Sequence, residues 1–168
     1  MPDINFTPLP NPQPWVIPPP EGLPYVSVTA IKRVRDALPI PTACPYCQGK
    51  VVLVNNETIY GRSVGDWPFL YACAGSCEAH VGVHADTAIP LGTLANKELR
   101  AARQCAKQSF HAMMLARRMI RTNAYKWLAD KLGLPLQQTH YGWMDLPTVQ
   151  YAHLITEAEL NRKKQYDY

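Results

Sequence analysis

Two short cysteine pairs constrain this chain more than any other feature: Cys44-Pro-Tyr-Cys47 and Cys73-Ala-Gly-Ser-Cys77, with 25 residues between them. Two thiolates on one tight turn occupy two corners of a tetrahedron, and a second turn supplies the other two at about 2.3 Å from a shared Zn2+. The first 25 residues lack a basic start followed by an apolar run, and no window approaches about 18 uninterrupted apolar residues, so a cytoplasmic chain with no membrane segment is expected. In a reducing compartment such pairs indicate metal binding before disulfides. A redox role fits less well, because only the first pair has the CxxC spacing. Four cysteines close the coordination shell and leave no position for water, which predicts one structural zinc and not a catalytic one. His80 and His84 follow the second pair and are alternatives to one cysteine ligand. Gly49 and Gly75 lie in or beside the turns, where a positive φ is expected. The fifth cysteine, Cys105, falls mid-helix and is expected to be a small core filler.

The segments around the pairs read as strands. KVVLVNN, WPFLYA and AHVGVH are rich in β-branched and aromatic residues and are separated by Gly, Asn and Asp, which predicts a small β module with its strands joined by a turn. Ahead of it, nine of the sixteen prolines fall within residues 1–24. Repeated proline removes backbone donors and fixes φ, so this segment is expected to be an extended arm, with Trp15 and Val16 as points of attachment. From Tyr25 a short helix capped by Thr29 would place Ile31, Val34 and Leu38 on one face before Pro39.

After Asn96, a fitting N-cap, the period changes to 3.6, and Leu99, Ala102, Ala106, Phe110 and Met113 describe one apolar face. A second helix, AYKWLADKL, begins after Thr122 or Asn123 and stops at Gly133, with Tyr125, Leu128 and Leu132 on its core side. A third runs roughly from Pro147 to Lys164. The expected organisation is an extended arm at 1–24, a short helix plus zinc-binding β module at 25–92, and a helical region with a basic first helix at 93–168. The fold class is α+β, with a small zinc-ribbon-like β module packed on a bundle of about three helices.

Charge is distributed unevenly. The chain carries +4 overall, yet residues 97–126 hold eight Lys/Arg against Glu98 alone. On one uninterrupted helix from 97 to 121, Arg100, Arg103, Lys107, His111, Arg118 and Arg121 fall within a narrow strip at about 300–20°, beside the apolar sector at about 200–280°. Like charges so close repel one another, and a phosphate backbone would relieve that repulsion by releasing counterions. Arg100, Arg103, Lys107, Arg117, Arg118 and Arg121 are therefore candidates for binding DNA, RNA or a nucleoprotein complex, and the acidic surface of a protein is the alternative partner. Near the C-terminus, THYGWMDLP sets His140 and Asp145 in a loop. With His111 they are candidates for a polar pocket, and an acid/base pair is one reading. An Asp that caps the next helix is the other.

CPYC, Tyr60-Gly61, the second cysteine pair running into AHVGVH, then PLGTLAN, ELRAAR, AYKWLADKLGL and HYGWMD occur in one order over about residues 43–155. This order resembles phage and prophage proteins of the zinc-finger-containing domain family. The resemblance implies a zinc site at Cys44, Cys47, Cys73 and Cys77, a helical domain behind it and a bacterial host, and it brings no activity with it. Two positions depart from the family. The second pair has one residue more than CxxC, and Lys107 and His111 stand where the family tends to show His and Asp. Arg100, Arg103, His140 and Asp145 match it.

The expected function is that of a binding module held by structural zinc, acting on nucleic acid or a nucleoprotein machine through the basic helix. An inhibitor or adaptor of a host polymerase or defence enzyme is the second reading. A phosphodiester-acting hydrolase is the third, weakened by the absence of an acidic pair for Mg2+.

Overall fold

A computed structural model describes residues 16–17 and 22–164. Most of the expected proline-rich arm, including Trp15, lies outside the described residues. The chain divides into two compact units, Met1–Leu94 and Ala95–Tyr168, each with its own cluster of buried apolar side chains. The fold is α+β, as the sequence predicts.

The first unit is built on a three-stranded antiparallel sheet in which β4 (Phe69–Cys73) lies between β3 (Val51–Asn55) and β5 (His80–Gly82). These are the three predicted strands. Every residue of β4 is buried, which suits its aromatic and apolar composition. Register matters most at one end: Val51 pairs with Cys73, so the chain just before β3 meets the chain just after β4. Those two segments carry the cysteine pairs. The β3–β4 connection is not the expected simple turn. It contains a short helix, α2 (Glu57–Tyr60), closed by Gly61 at φ 71, and Asn56 ties its far side by exchanging two hydrogen bonds with the Val64 backbone at 2.8 and 3.0 Å. Under the sheet, Trp67 meets Tyr25 and Phe69 edge-on, each at 5.0 Å, and donates its indole N–H to the Thr87 carbonyl.

Strands β1 (Val16–Ile17) and β2 (Val26–Ser27) form a separate antiparallel pair, and β2 leads directly into α1 (Val28–Arg33). This helix is shorter than predicted, and its cap is Ser27, whose Oγ accepts the Ala30 N–H at 3.2 Å, in place of Thr29. Four of the seven residues from Val28 to Val34 are β-branched and give a helix little intrinsic support. The chain turns extended at Val34, so of the predicted face only Ile31 packs on the buried cluster.

The second unit contains α3 (Lys97–Ala116), α4 (Arg121–Leu132) and α5 (Leu146–Lys164). Asn96 caps α3 by accepting the Leu99 N–H at 2.9 Å, and Gly133 ends α4 in the left-handed region at φ 64. Phe110 is the hub, edge-on to Tyr125 at 5.0 Å and to Tyr141 at 5.7 Å. Leu99, Ala106 and Met113 bury the predicted face of α3. Cys105 does not fill the core. It is exposed, because Ala106 takes the inward position and the next residue round the helix points about 100° away. Among the described residues no helix is long and apolar enough to cross a membrane.

Candidate metal centre

The β3–β4 register brings two knuckles together. Cys44 and Cys47 lie on the turn that precedes β3, and Cys73 ends β4 just before the turn that holds Cys77. The first knuckle is closed by two backbone bonds, Gln48 N–H to Cys44 C=O at 2.9 Å and Cys44 N–H to Gly49 C=O at 2.8 Å. The second is closed by Cys73 N–H to Ala79 C=O at 2.8 Å, and Ala74 N–H crosses to Lys50 C=O at 2.9 Å. That last bond joins one knuckle to the other.

The four sulfur atoms lie within 4.8 Å of one another. The closest pairs are Cys44–Cys77 at 3.3 Å, Cys47–Cys73 at 3.4 Å and Cys47–Cys77 at 3.6 Å. A tetrahedron with Zn–S bonds of about 2.3 Å has edges of about 3.8 Å, so a set of four thiols at this spacing fits the ion with small adjustments. The protonation chemistry agrees. Burial opposes ionisation of Cys44, yet the amides of Tyr46 and Cys47, with the neighbouring sulfurs, bring its thiol down to about 7. Cys73 moves the other way, to about 12, chiefly through its contact with Cys77 and against the Gly75 amide. Four touching thiols surrender all their protons only when a cation compensates the charge.

Both glycines have a steric role and not the predicted dihedral one. Neither Gly49 nor Gly75 has a positive φ. A Cβ on Gly49 would lie 3.1 Å from Cys47 Sγ, and one on Gly75 3.3 Å from the same atom. The left-handed conformation falls instead on Gln48 (φ 59) and Glu78 (φ 51), each immediately after the second cysteine of its knuckle. Residue type gave no hint of this. The repeated position after each pair is the signal that could have.

A scan of family models matches residues 40–159 to the zinc-finger-containing domain. The chain belongs to this family. Searches of curated proteins and of solved structures found no significant match. In this zinc-finger-containing protein the four cysteines suit one structural zinc ion, held by Cys44, Cys47, Cys73 and Cys77. Neither His80 nor His84 belongs to the cluster. His80 is buried with Nδ1 against the Glu78 carbonyl at 3.2 Å and Nε2 against the Tyr60 hydroxyl at 3.5 Å. The loss of hydration on burial pushes the His84 pKa down.

In the helical unit of the zinc-finger-containing protein the basic strip is not continuous. Helix α3 ends at Ala116, Arg118 takes φ 51, and α4 starts at Arg121, so the last arginines do not share the strip of Arg100. Arg103 is only 8% exposed and donates through Nε and Nη2 to the Met144 carbonyl at 3.2 and 2.7 Å. Its angular place at the edge of the apolar sector explains why. Arg117 is paired with Glu159, and Arg100 donates to the Ala95 carbonyl at 2.6 Å. Lys107, Arg118 and Arg121 are exposed, with no carboxylate within 4 Å among the described residues, and Arg121 lies 5.5 Å from the Tyr125 ring centre.

Of the two readings of Asp145, the structure shows the helix cap. Asp145 caps α5 by accepting the Thr148 N–H at 3.0 Å, and Thr148, through hydroxyl and amide, holds its carboxyl below the usual range. His140 meets Trp143 in a tilted ring contact at 4.7 Å, and His111 is exposed on α3. Among the described residues the four cysteines are the only group of three or more His, Cys, Asp or Glu side chains placed to hold a metal.

Proposed function

We propose that this protein is a nucleic-acid-binding module, with zinc supplying folding energy to the first unit and the α3–α4 corner of the second contacting phosphate. The observation that carries the reading is the pair Arg118 and Arg121, both exposed around the start of α4 and without a carboxylate partner among the described residues. Helix α4 has no acidic residue in its first turn and no side-chain cap. Its amide end therefore has the polarity that favours an anion. Lys107 and the partly exposed Arg100 extend the cationic surface along α3, while Arg103 contributes by holding the loop before α5 and Arg117 by holding α5. The resemblance of the sequence to phage and prophage proteins supports a role in the cytoplasm of an infected or lysogenic bacterium, on nucleic acid or on a nucleoprotein machine.

Retention on DNA and RNA across a salt series tests this. Affinity falls steeply from low to moderate salt, and Arg118→Ala/Arg121→Ala reduces the slope of log K against log salt by about 2. No retention on single- or double-stranded DNA or RNA at low salt refutes it. One observation favours a second reading, a protein inhibitor or adaptor: Leu115, three residues before Arg118, and Ile120, between Arg118 and Arg121, are each 66% exposed. An acidic protein surface with an apolar centre would match that combination, and its binding would survive nuclease treatment.

A further inference from the structure

Outside the cysteine cluster, one set of nucleophilic and titratable side chains is brought together by the α3–α5 packing. Cys105 and Ser109 lie one turn apart on α3, and His153 of α5 reaches both. Ser109 Oγ is 3.0 Å from His153 Nδ1, and Cys105 Sγ is 3.8 Å from His153 Nε2. Ser109 also donates its hydroxyl proton to the Cys105 carbonyl at 3.4 Å. A hydroxyl that spends its proton on that carbonyl meets the imidazole as an acceptor; in that tautomer Nδ1 carries the ring proton and the bare Nε2 faces the Cys105 thiol. Ser109 is buried and fixes the ring, whereas Cys105 is open to solvent.

We propose that Cys105, His153 and Ser109 form a reactive-thiol site that takes small uncharged electrophiles, with hydrogen peroxide as the oxidant. The roles follow the order nucleophile, base and positioning residue. As sulfur attacks one peroxide oxygen, the thiol proton passes to His153 Nε2 and the O–O bond breaks. The departing hydroxide takes a proton back from the imidazolium. One thiol and one peroxide become one sulfenic acid and one water, sulfur losing two electrons and the peroxide gaining them. This site is independent of any nucleic-acid role.

The test uses the full-length, zinc-loaded protein, in which the other four thiols are engaged by the metal. Iodoacetamide labelling at pH 7, followed peptide by peptide, compares Cys105 with the same cysteine in a synthetic peptide spanning residues 100–110. The folded protein is expected to react about tenfold faster, and His153→Gln to remove that advantage, with Ser109→Ala intermediate. Peroxide treatment with dimedone trapping should mark Cys105 in the same order. Equal rates for protein and peptide overturn the proposal, as does a folded His153→Gln variant that reacts like the original. If His153→Gln fails to fold, the protein-to-peptide ratio and Ser109→Ala decide.

Discussion

Gly49→Ala tests the metal centre at one methyl group. The new Cβ would lie 3.1 Å from Cys47 Sγ and 3.6 Å from Cys73 Sγ, against an ordinary heavy-atom contact of about 3.5–4.0 Å. Cys47 Sγ would have to yield by about half an ångström. In the metal-free chain the sulfur is free to do so, and because φ at Gly49 is not positive, alanine gains about 0.4–1 kcal/mol by restricting the unfolded chain. Once zinc fixes the sulfur, the methyl group meets an atom that cannot move, and crowding of this kind costs about 1–3 kcal/mol. At about 1.4 kcal/mol per tenfold, zinc binds roughly 5- to 150-fold more weakly.

Competition against a chromophoric chelator reads that number, and melting with and without zinc separates the two effects: the metal-free protein is unchanged or slightly more stable, the loaded one less so. Gly61→Ala is the control. It has φ 71 with nothing within 4 Å of a Cβ, so it costs about 1–2 kcal/mol of backbone strain in both forms and leaves zinc affinity alone. A Gly49→Ala protein with undiminished zinc affinity refutes the steric account.

Elemental analysis should return one zinc per chain, and Cys73→Ser/Cys77→Ser or a strong chelator should destabilise the first unit, seen as earlier loss of the near-ultraviolet signal of Trp67 on heating; a melting curve indifferent to chelator contradicts a structural ion. Arg103→Ala strands the Met144 carbonyl and should cost about 1–3 kcal/mol in urea unfolding, while leaving the salt slope of any nucleic-acid binding unchanged. Asp145→Ala should cost about 1 kcal/mol at neutral pH as a lost cap. Because the folded Asp145 carboxyl sits below its ordinary value of 3.8, its contribution is full above that value and fades as pH falls through the lowered one, so Asp145→Ala should flatten the acid limb of a stability profile. Gln48→Gly removes a left-handed Gln and should stabilise the zinc-loaded form by up to about 1 kcal/mol in thermal melts, after the extra freedom of the unfolded glycine is subtracted.

The elements that were legible in the sequence are those whose signal is local and periodic. Strands β3, β4 and β5 announce themselves by β-branched and aromatic runs, α3 by its 3.6 period and Asn96, and the end of α4 by Gly133. What local pattern could not reveal depended on competition. Ser27 and Thr29 are both competent caps, and the choice fell to Ser27, whose own amide is held by the Asp86 carbonyl 59 positions away. The α3–α4 break at Arg118 was equally hidden: the helical period continues through it, and neither glycine nor proline marks it.

The same distinction separates the metal site from the charged surface. Cysteine pairs specify a tetrahedron almost by themselves, since few other contacts bring four thiols together. An arginine carries no such instruction. Arg103 and Lys107 lie one turn apart on α3, and the first is buried against a carbonyl while the second meets solvent, because about 40° of helical rotation separates the rim of the apolar sector from open surface. A guanidinium at that rim can satisfy a stranded backbone oxygen from the loop before α5, and its long apolar stem makes burial tolerable. A count of basic residues along α3 therefore overstates its cationic surface by those spent on α5 and on the loop before it. Lys107, Arg118 and Arg121 keep charges that the fold does not consume.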